Sequence, residues 1–511
     1  MSGKTVLAID QSTSGTKALL FDQEGTLLGR RDLPHEQKIN SQGWVSHDPL
    51  EIYKNTIQAT ARLLEETGVD RESIGTLGIS NQRETALIWD RDTGLPVADA
   101  VVWQCARAAG ICQRLADKAE AIQERTGLNL SPYFPAAKWA WILENTPGLA
   151  GKNLCAGTID AWLVYKLTGG RVFATDYSNA SRTQLFNLRT LSWDPEICGW
   201  FGINPDFLPE VRFSDSLFGE TDFEGLLSHP VPIHGVLGDS HGALFGQGCL
   251  SPGMVKATYG TGSSVMMHIG QRPVFSKKGL VTSLAWGMEG KVDYVLEGNI
   301  NYTGAVTKWV VEELGLLSSS KEAGPVAQSA DPADTTYLVP AFTGLGAPYW
   351  DSGAKAMLYG MSRTTGRAEI VKAAEECIAY QIADVLELMG QEAGVAIQEL
   401  RVDGGPTKDK FLMQFQSDIL NLPVAAPERE ELSGMGLPSA RASRRGCTAR
   451  RFFRPCAGAV SCPSWRRRCA GKRERAGSRR WKRCSPGLGQ NKSSRRSILC
   501  KWNVGTYWKS R

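Results

Sequence analysis

The chain has 511 residues, 42% of them apolar and 22% charged, proportions of an ordinary folded protein that exclude wholesale disorder. That length suffices for two large domains or about three of average size. No run of about 18 apolar residues occurs, which excludes a helical membrane span. The opening MSGKTVLAID reads directly as a strand, so a cytoplasmic location with no membrane partner is expected.

The formal charge of +5 conceals two unlike pieces. Residues 437–511 hold 22 Lys+Arg, one acidic residue (Glu474) and six cysteines, which leaves 36 basic and 52 acidic residues in 1–436. The body is therefore at −16 and the tail at +21. Tail segments such as RASRRGCTARRFFRP show neither helical spacing of apolar residues nor strand alternation. A one-base shift explains the break. With GC-rich codons, restoring one base after Gly436 lets the following codons read Gly-Ala-Ala-Phe-Ser-Ala-Gly-Leu-Ala-Ala-Gly-Leu-Tyr, a small-residue amphipathic helix. The competing origin is an evolved basic arm for nucleic acid or an anionic membrane surface. The acidic body argues against nucleic acid, and the expectation is an aberrant, disordered tail over 437–511. Its cysteines lack CxxC pairing and suggest no metal site. The six body cysteines (Cys105, Cys112, Cys155, Cys198, Cys249, Cys377) stand singly, as buried free thiols of a reducing compartment would.

In chain order, Val6–Asp10 is a short apolar run ending in an acid. DQSTSGTK (Asp10–Lys17) follows as a hydroxyl-rich turn, then ALLFD (Ala18–Asp22), a turn at Gln23–Gly25 and TLLGRRDL: a β-meander with a polar first turn. Asp48–Gly68 opens on Asp-Pro with apolar residues at helical spacing. Ile74–Ser80 and Thr85–Trp89 read as strands, and Asp160–Leu167 and Ala368–Met389 as helices, so the architecture is α/β. About 250 residues after the first hairpin a second appears, MVKATYGTGSSVMMHIG, with its turn over Tyr259–Ser264. A third glycine turn, Val402–Gly405, follows a short strand and opens a helix. Turns rich in Gly, Thr and Ser offer backbone N–H and hydroxyl donors without bulky side chains, which suits phosphate oxygens. Each alone is a tight hairpin and no more. Three in one chain, two of them equivalent, favour a nucleotide cleft between two like domains. No GxxxxGK[ST] stretch is present, so this is not a P-loop protein.

Longer motifs then narrow the reading. YFPAAKWAWILEN (Tyr133–Asn145) and AMLYGMSRTTGRAEIVKAAEECIAYQ (Ala356–Gln381) match the two signature patterns of the FGGY carbohydrate kinases. SNQRET (Ser80–Thr85), VVWQC (Val101–Cys105), TDYSNASRT (Thr175–Thr183), YLVPAFTGLGAPYWD (Tyr337–Asp351) and FLMQFQSDIL (Phe411–Leu420) match the members that phosphorylate glycerol. From Lys4 to about Gly436 the chain resembles that family. The resemblance implies two duplicated ribonuclease-H-like domains of the actin/Hsp70/hexokinase type with a cleft between them. Residues 1–245 would bind the acceptor and carry the first phosphate loop, and 246–436 would bind the nucleotide, left incomplete where the tail begins.

The implied reaction is ATP-dependent phosphorylation of a polyol, glycerol, at a terminal hydroxyl, with Mg²⁺. Asp239 would be the catalytic base, and Asp10 and Asp239 would serve the metal. Arg83 and Glu84, a donor beside an acceptor, together with Tyr133, Trp103, Asp239 and Ser240, would bind the acceptor. Thr13, Ser14, Gly15 and Lys17 match the first phosphate loop, Thr261 and Gly262 the second, and Gly304, Lys308, Gly405 and Asp409 further nucleotide contacts. Lys17 stands where relatives have Arg, a point charge in place of a bidentate fork, and Lys308 and Asp409 replace Gln and Asn. Ser240 and Ser264 replace a Gln and a Phe, which enlarges the acceptor pocket and admits a longer polyol or a ketose, such as erythritol or a pentulose, as the alternative substrate. Bland readings stand beside these: Asp239 as a helix N-cap, Asp10 as an Asx-turn, Arg83–Glu84 as a surface ion pair, His241 as a structural histidine. A homodimer or homotetramer is implied. Losing several hundred Å² of apolar contact at ~25 cal/mol per Å² would exceed marginal stability, so the 511-residue product is expected to be unstable or inactive.

Overall fold

The computed structural model describes residues 5–349, 351, 353–426 and, as backbone, 460–461. The basic tail and the expectation placed on it therefore lie outside the described residues, apart from that two-residue strand.

The first meander is β1 (Thr5–Gln11), β2 (Gly15–Phe21) and β3 (Leu27–Pro34). Helix α1 (Pro49–Thr67) covers β2 and β3. The Asp48 side chain caps its start by accepting from the Leu50 N–H, Pro49 supplies a preset φ, and Gly68 ends it in the left-handed region at φ 59°. Next come β4 (Ile74–Asn81) and, after a long excursion, β5 (Val231–Gly238) and α2 (Asp239–Gly246). The strands assemble in the order β3-β2-β1-β4-β5. The first two pairings are antiparallel and the last two parallel.

The second lobe repeats this plan. It is built from β6 (Met254–Tyr259), β7 (Ser263–Gly270), β8 (Val281–Met288), β9 (Lys291–Ile300), α3 (Gly304–Glu312), α4 (Arg367–Ala393), β10 (Glu399–Asp403), α5 (Lys410–Leu420) and β11 (Val424–Ala425). Their order is β8-β9-β7-β6-β10-β11, so β9-β7-β6-β10-β11 matches the first sheet strand for strand, with the same two antiparallel and two parallel pairings. Val460–Ser461 pairs with β11. Gly15, which opens β2, and Gly262, just before β7, sit at the start of the second strand of each hairpin. A Cβ on Gly15 would meet the Leu33 carbonyl oxygen at 2.6 Å, and one on Gly262 the Ile300 carbonyl oxygen at 2.4 Å. Each lets the second strand approach the third.

A further sheet joins strands of the excursion between β4 and β5 (Leu154–Thr158, Ala86–Asp90, Ala100–Val101) to two short strands that precede α1 (Val45–His47, Lys38–Ile39), and the excursion also carries the helix Pro135–Asn145. Separate apolar cores fill the lobes, and one cluster spans them: Ala8, Leu19, Phe21, Leu237 and Leu244 meet Met266, Ala285, Trp286, Met288 and Val295. At the seam the edge strand β8 lends its spare backbone donors to the first lobe. Thr282 N–H donates to the Gly127 carbonyl at 2.9 Å, Leu284 N–H to Ser181 Oγ at 3.0 Å and Gly287 N–H to Ser214 Oγ at 3.1 Å.

Candidate active site

Because β1, β4 and β5 are parallel neighbours, their carboxyl ends lie side by side, where α/β sheets bind ligands. Register sets Asp10 opposite Ser80, and Gln11 and Gly238 on either side of Asn81. Asp10 thus sits at the end of β1, Arg83 just beyond β4 and Asp239 just beyond β5. The N-cap expected of Asp239 falls instead to Gly238; Asp239 is the first helical residue, and its Oδ1 accepts from the Ser240 N–H at 2.6 Å. A cap residue needs extended backbone, which the strand's last glycine supplies.

Asp239 is the exposed member of a charged chain that is otherwise sealed. Arg83 Nε lies 3.4 Å from Asp239 Oδ1, and the two terminal nitrogens of Arg83 grip Glu297 of β9 bidentately at 2.9 and 3.1 Å. Arg182 Nη1 stands 3.0 Å from the same Glu297, while its Nε donates to Glu84 Oε1 at 2.6 Å. The Asp239 side chain is 36% exposed, against 6% for Arg83 and 2% or less for Glu84, Arg182 and Glu297. Burial in the protein mass raises the Asp239 pKa, opposed by the Arg83 charge and the Ser240 N–H and reinforced by Asp10. Glu297 is held well below the usual carboxylate range: the Arg182 and Arg83 charges outweigh its burial.

Glu84 adopts φ 61°, uncommon for a side-chain-bearing residue, in a three-residue turn closed by Thr85 N–H donating to the Arg83 carbonyl at 2.8 Å. Fully buried Lys138 donates to the Glu84 carbonyl at 3.1 Å and also to the Tyr133 carbonyl. Trp103 and Tyr133 meet edge to face, ring centroids 5.7 Å apart. Arg83, Glu84, Trp103, Tyr133 and Asp239 are thus linked by shared contacts or shared anchors. Ser240 adjoins Asp239, and Ser264 Oγ donates to Glu297 at 3.4 Å. His241 is fully buried, with Nε2 3.3 Å from Ser283 Oγ, and burial keeps it neutral: a structural histidine.

The first loop carries Thr13, Ser14 and Gly15. Lys17, opposite Asp10 in the hairpin, places Nζ 3.3 Å from Asp10 Oδ2. In the second lobe a cavity of about 950 Å³ is lined by Thr261, Gly304, Lys308, Gly405 and Asp409, together with Glu375. Gly262 borders that wall without lining it, and Thr13, Ser14, Gly15 and Lys17 lie outside it. The α3 start docks on the second turn: Gly304 N–H donates to the Gly260 carbonyl at 2.9 Å. The Asp409 carboxylate caps α5 by accepting from the Phe411 and Leu412 N–H groups, and Lys308 Nζ is 3.6 Å from Glu312.

Family models match almost the whole described chain: the N-terminal domain of the FGGY family of carbohydrate kinases over residues 5–246 and its C-terminal domain over 255–437. The chain belongs to the FGGY family of carbohydrate kinases. Among FGGY relatives, glycerol kinase 1 of Thermotoga maritima is 48% identical over 438 residues, covering 84% of this chain and 89% of its own. The glycerol kinase of Carboxydothermus hydrogenoformans is 46% identical, covering 85% and 88%. The crystal structure of Plasmodium falciparum glycerol kinase with ADP superposes with a TM-score of 0.85 at 32% identity, covering 93% of this chain and 97% of that one. The family match ends at residue 437, where the charge of the sequence breaks.

Several charged residues around the candidate site were not singled out from sequence. Arg182 lies within TDYSNASRT, and its charge amid small residues was the available signal. Glu297, a lone acid in the apolar run YVLEGNI, was another. Glu375 lies in the buried stripe of α4, where burial and the Asp409 charge push its pKa up to about 7. Among the described residues no cluster of three or more His, Cys, Asp and Glu side chains is placed to hold a metal. Mg²⁺ keeps several waters and takes one or two carboxylates plus phosphate oxygens. The Asp10 and Asp239 carboxylates, close enough for one to raise the pKa of the other, are a donor set of that kind.

Proposed function

We propose that this chain phosphorylates glycerol from Mg·ATP, giving sn-glycerol 3-phosphate and ADP. What carries the reading is the Asp239 carboxylate, open to the cleft beside Asp10, 3.4 Å from Arg83 and linked through it to Glu84. The glycerol hydroxyls lie between Arg83, Glu84 and Tyr133, with the carbon chain against Trp103. Asp239 accepts the proton of the terminal hydroxyl as its oxygen forms the bond to the γ-phosphorus, and the bond to the bridging oxygen breaks to release ADP. A base of raised pKa is the stronger acceptor, and such a group contributes about 10²–10⁴-fold. Arg83 keeps that carboxylate aimed and ionised. Mg²⁺, held by Asp10 and Asp239, would neutralise phosphate charge. Residues 1–245 supply the acceptor site and the Thr13–Lys17 loop; residues 246–436 hold the nucleotide through Thr261, Gly262, Gly304, Lys308, Gly405 and Asp409. The location is cytoplasmic, and the assembly is a homodimer or homotetramer.

The test is a substrate panel of glycerol, erythritol and a pentulose, run on the 511-residue chain and on the product of the gene with one base restored after Gly436. Glycerol is turned over fastest, and the Asp239→Asn variant loses at least 100-fold in kcat. Erythritol or a pentulose outpacing glycerol overturns the substrate. Robust activity of the 511-residue chain itself contradicts the expectation that its tail disables it.

A further inference from the structure

Trp103, the apolar wall of the acceptor site, also reaches the phosphate loop. Its indole N–H donates to Thr13 Oγ1 at 2.9 Å. An indole nitrogen only donates, so the Thr13 oxygen must accept, and its own proton is left to donate elsewhere. The rest of the loop is fixed independently. His35 Nε2 lies 2.9 Å from the Thr13 carbonyl, which only accepts, so that nitrogen carries the proton; His35 N–H donates to the Ser14 carbonyl at 3.3 Å. On its other side Trp103 is tied to the acceptor residues: its backbone N–H donates to Thr85 Oγ1, next to Glu84, at 3.2 Å, and its ring meets Tyr133. The backbone around Thr13 is thus held by His35, while its hydroxyl direction is set by Trp103 alone among the described residues.

We propose that the Trp103–Thr13 hydrogen bond makes Trp103 a positioning residue that couples the two substrates. An acceptor seated against the indole fixes the ring, the ring fixes the Thr13 oxygen, and the Thr13 proton is presented to a phosphate oxygen of the nucleotide. The inference rests on the proposed function, since it takes the wall to be the acceptor's and the loop to be the phosphate's. Coupling of this kind is reciprocal: glycerol tightens nucleotide binding by the same factor by which nucleotide tightens glycerol binding.

The experiment is calorimetric binding of glycerol and of the Mg²⁺ complex of a β,γ-imido ATP analogue to the product of the gene with one base restored after Gly436, taken as wild type, each alone and each with the other saturating. Wild type is expected to show positive coupling. Trp103→Phe keeps a ring and loses the N–H, and Thr13→Val keeps the shape and loses the hydroxyl. Each reduces the coupling factor about 3–10-fold, the worth of one hydrogen bond, the double variant loses no more than either single one, and Thr13→Ser retains the coupling. Unchanged coupling in Thr13→Val, whose acceptor wall is intact, overturns the proposal even if Trp103→Phe binds glycerol poorly. Wild type that binds both ligands without coupling overturns this inference and leaves the proposed function standing, whereas wild type that binds no glycerol removes both.

Discussion

Glu297→Gln is the sharpest probe of the sealed charge chain. The substitution preserves shape but places an amide among three donors: Arg83 Nη1 and Nη2 at 2.9 and 3.1 Å and Arg182 Nη1 at 3.0 Å. Removing one partner of a buried ion pair costs about 3–5 kcal/mol. Here about 3 kcal/mol is expected, because Arg182 retains Glu84 and Arg83 retains Asp239. At about 2–4 °C per kcal/mol for larger domains, the melting temperature falls by about 6–12 °C. The pH dependence has a definite sign. A glutamate held below its usual pKa contributes stability above the unfolded value of about 4.3 and loses it as pH falls, so the gap between variant and wild type narrows below pH ~4. In activity, the Arg83 charge, no longer shared with Glu297, favours the Asp239 carboxylate more strongly, and the acid limb of kcat/KM moves to lower pH. Calorimetry and a pH–rate profile read both. A variant that melts within ~1 °C of wild type with an unmoved acid limb refutes the idea that Glu297 holds Arg83 for the site.

Lys138→Met removes the donor that anchors both the Glu84 and Tyr133 carbonyls, and KM for the polyol rises about tenfold or more while nucleotide binding is retained, as steady-state kinetics would show. Burial lowers the Lys138 pKa to about 7, so stability from this group climbs between pH 7 and the unfolded value of about 10.4, and a pH series of melts on the variant lacks that climb. Glu375→Gln flattens the pH dependence of nucleotide affinity: in wild type Glu375 ionises at about 7 in the cleft wall, and affinity for an anionic ligand measured by calorimetry falls as pH rises through that value. Gly287→Ala puts a Cβ 2.4 Å from Tyr177 Cδ2 and 2.9 Å from Phe213 Cδ1 across the seam, costing about 1–3 kcal/mol in thermal unfolding.

Local chemistry made part of this molecule readable from sequence. The Asp-Pro start of α1 and its closing glycine, the hydroxyl-rich turn of the first hairpin and its echo at Tyr259–Ser264 are short-range signals, and the strands and helices formed within a few residues of where those signals place them. Ile74–Asn81 and Ala86–Asp90 differ from the expected strands only at their ends, and the helix expected over Ala368–Met389 runs on to Ala393, ending at Gly394 in the left-handed region. The charge chain was not readable in this way. Arg83 and Glu297 are 214 residues apart, and what brings them together is the docking of one lobe's sheet on the other. The left-handed backbone of Glu84 is likewise set by the buried ammonium of Lys138, a residue of a later helix, and not by its own neighbours. Charged residues in apolar runs (Glu297, Lys138, Glu375) were the available hints, and each needed a partner from a distant segment to acquire a meaning.

The seam along β8 has mechanical consequences. An unpaired strand margin is ordinarily a template for another strand, yet here its amides are absorbed by two serine hydroxyls and one carbonyl of the opposite lobe. A hydroxyl trades such a donor for water at a net cost of about 1 kcal/mol. Parting the two halves along this margin therefore breaks a few replaceable bonds and no ladder, while the same serines stop a neighbouring molecule from zipping onto the margin.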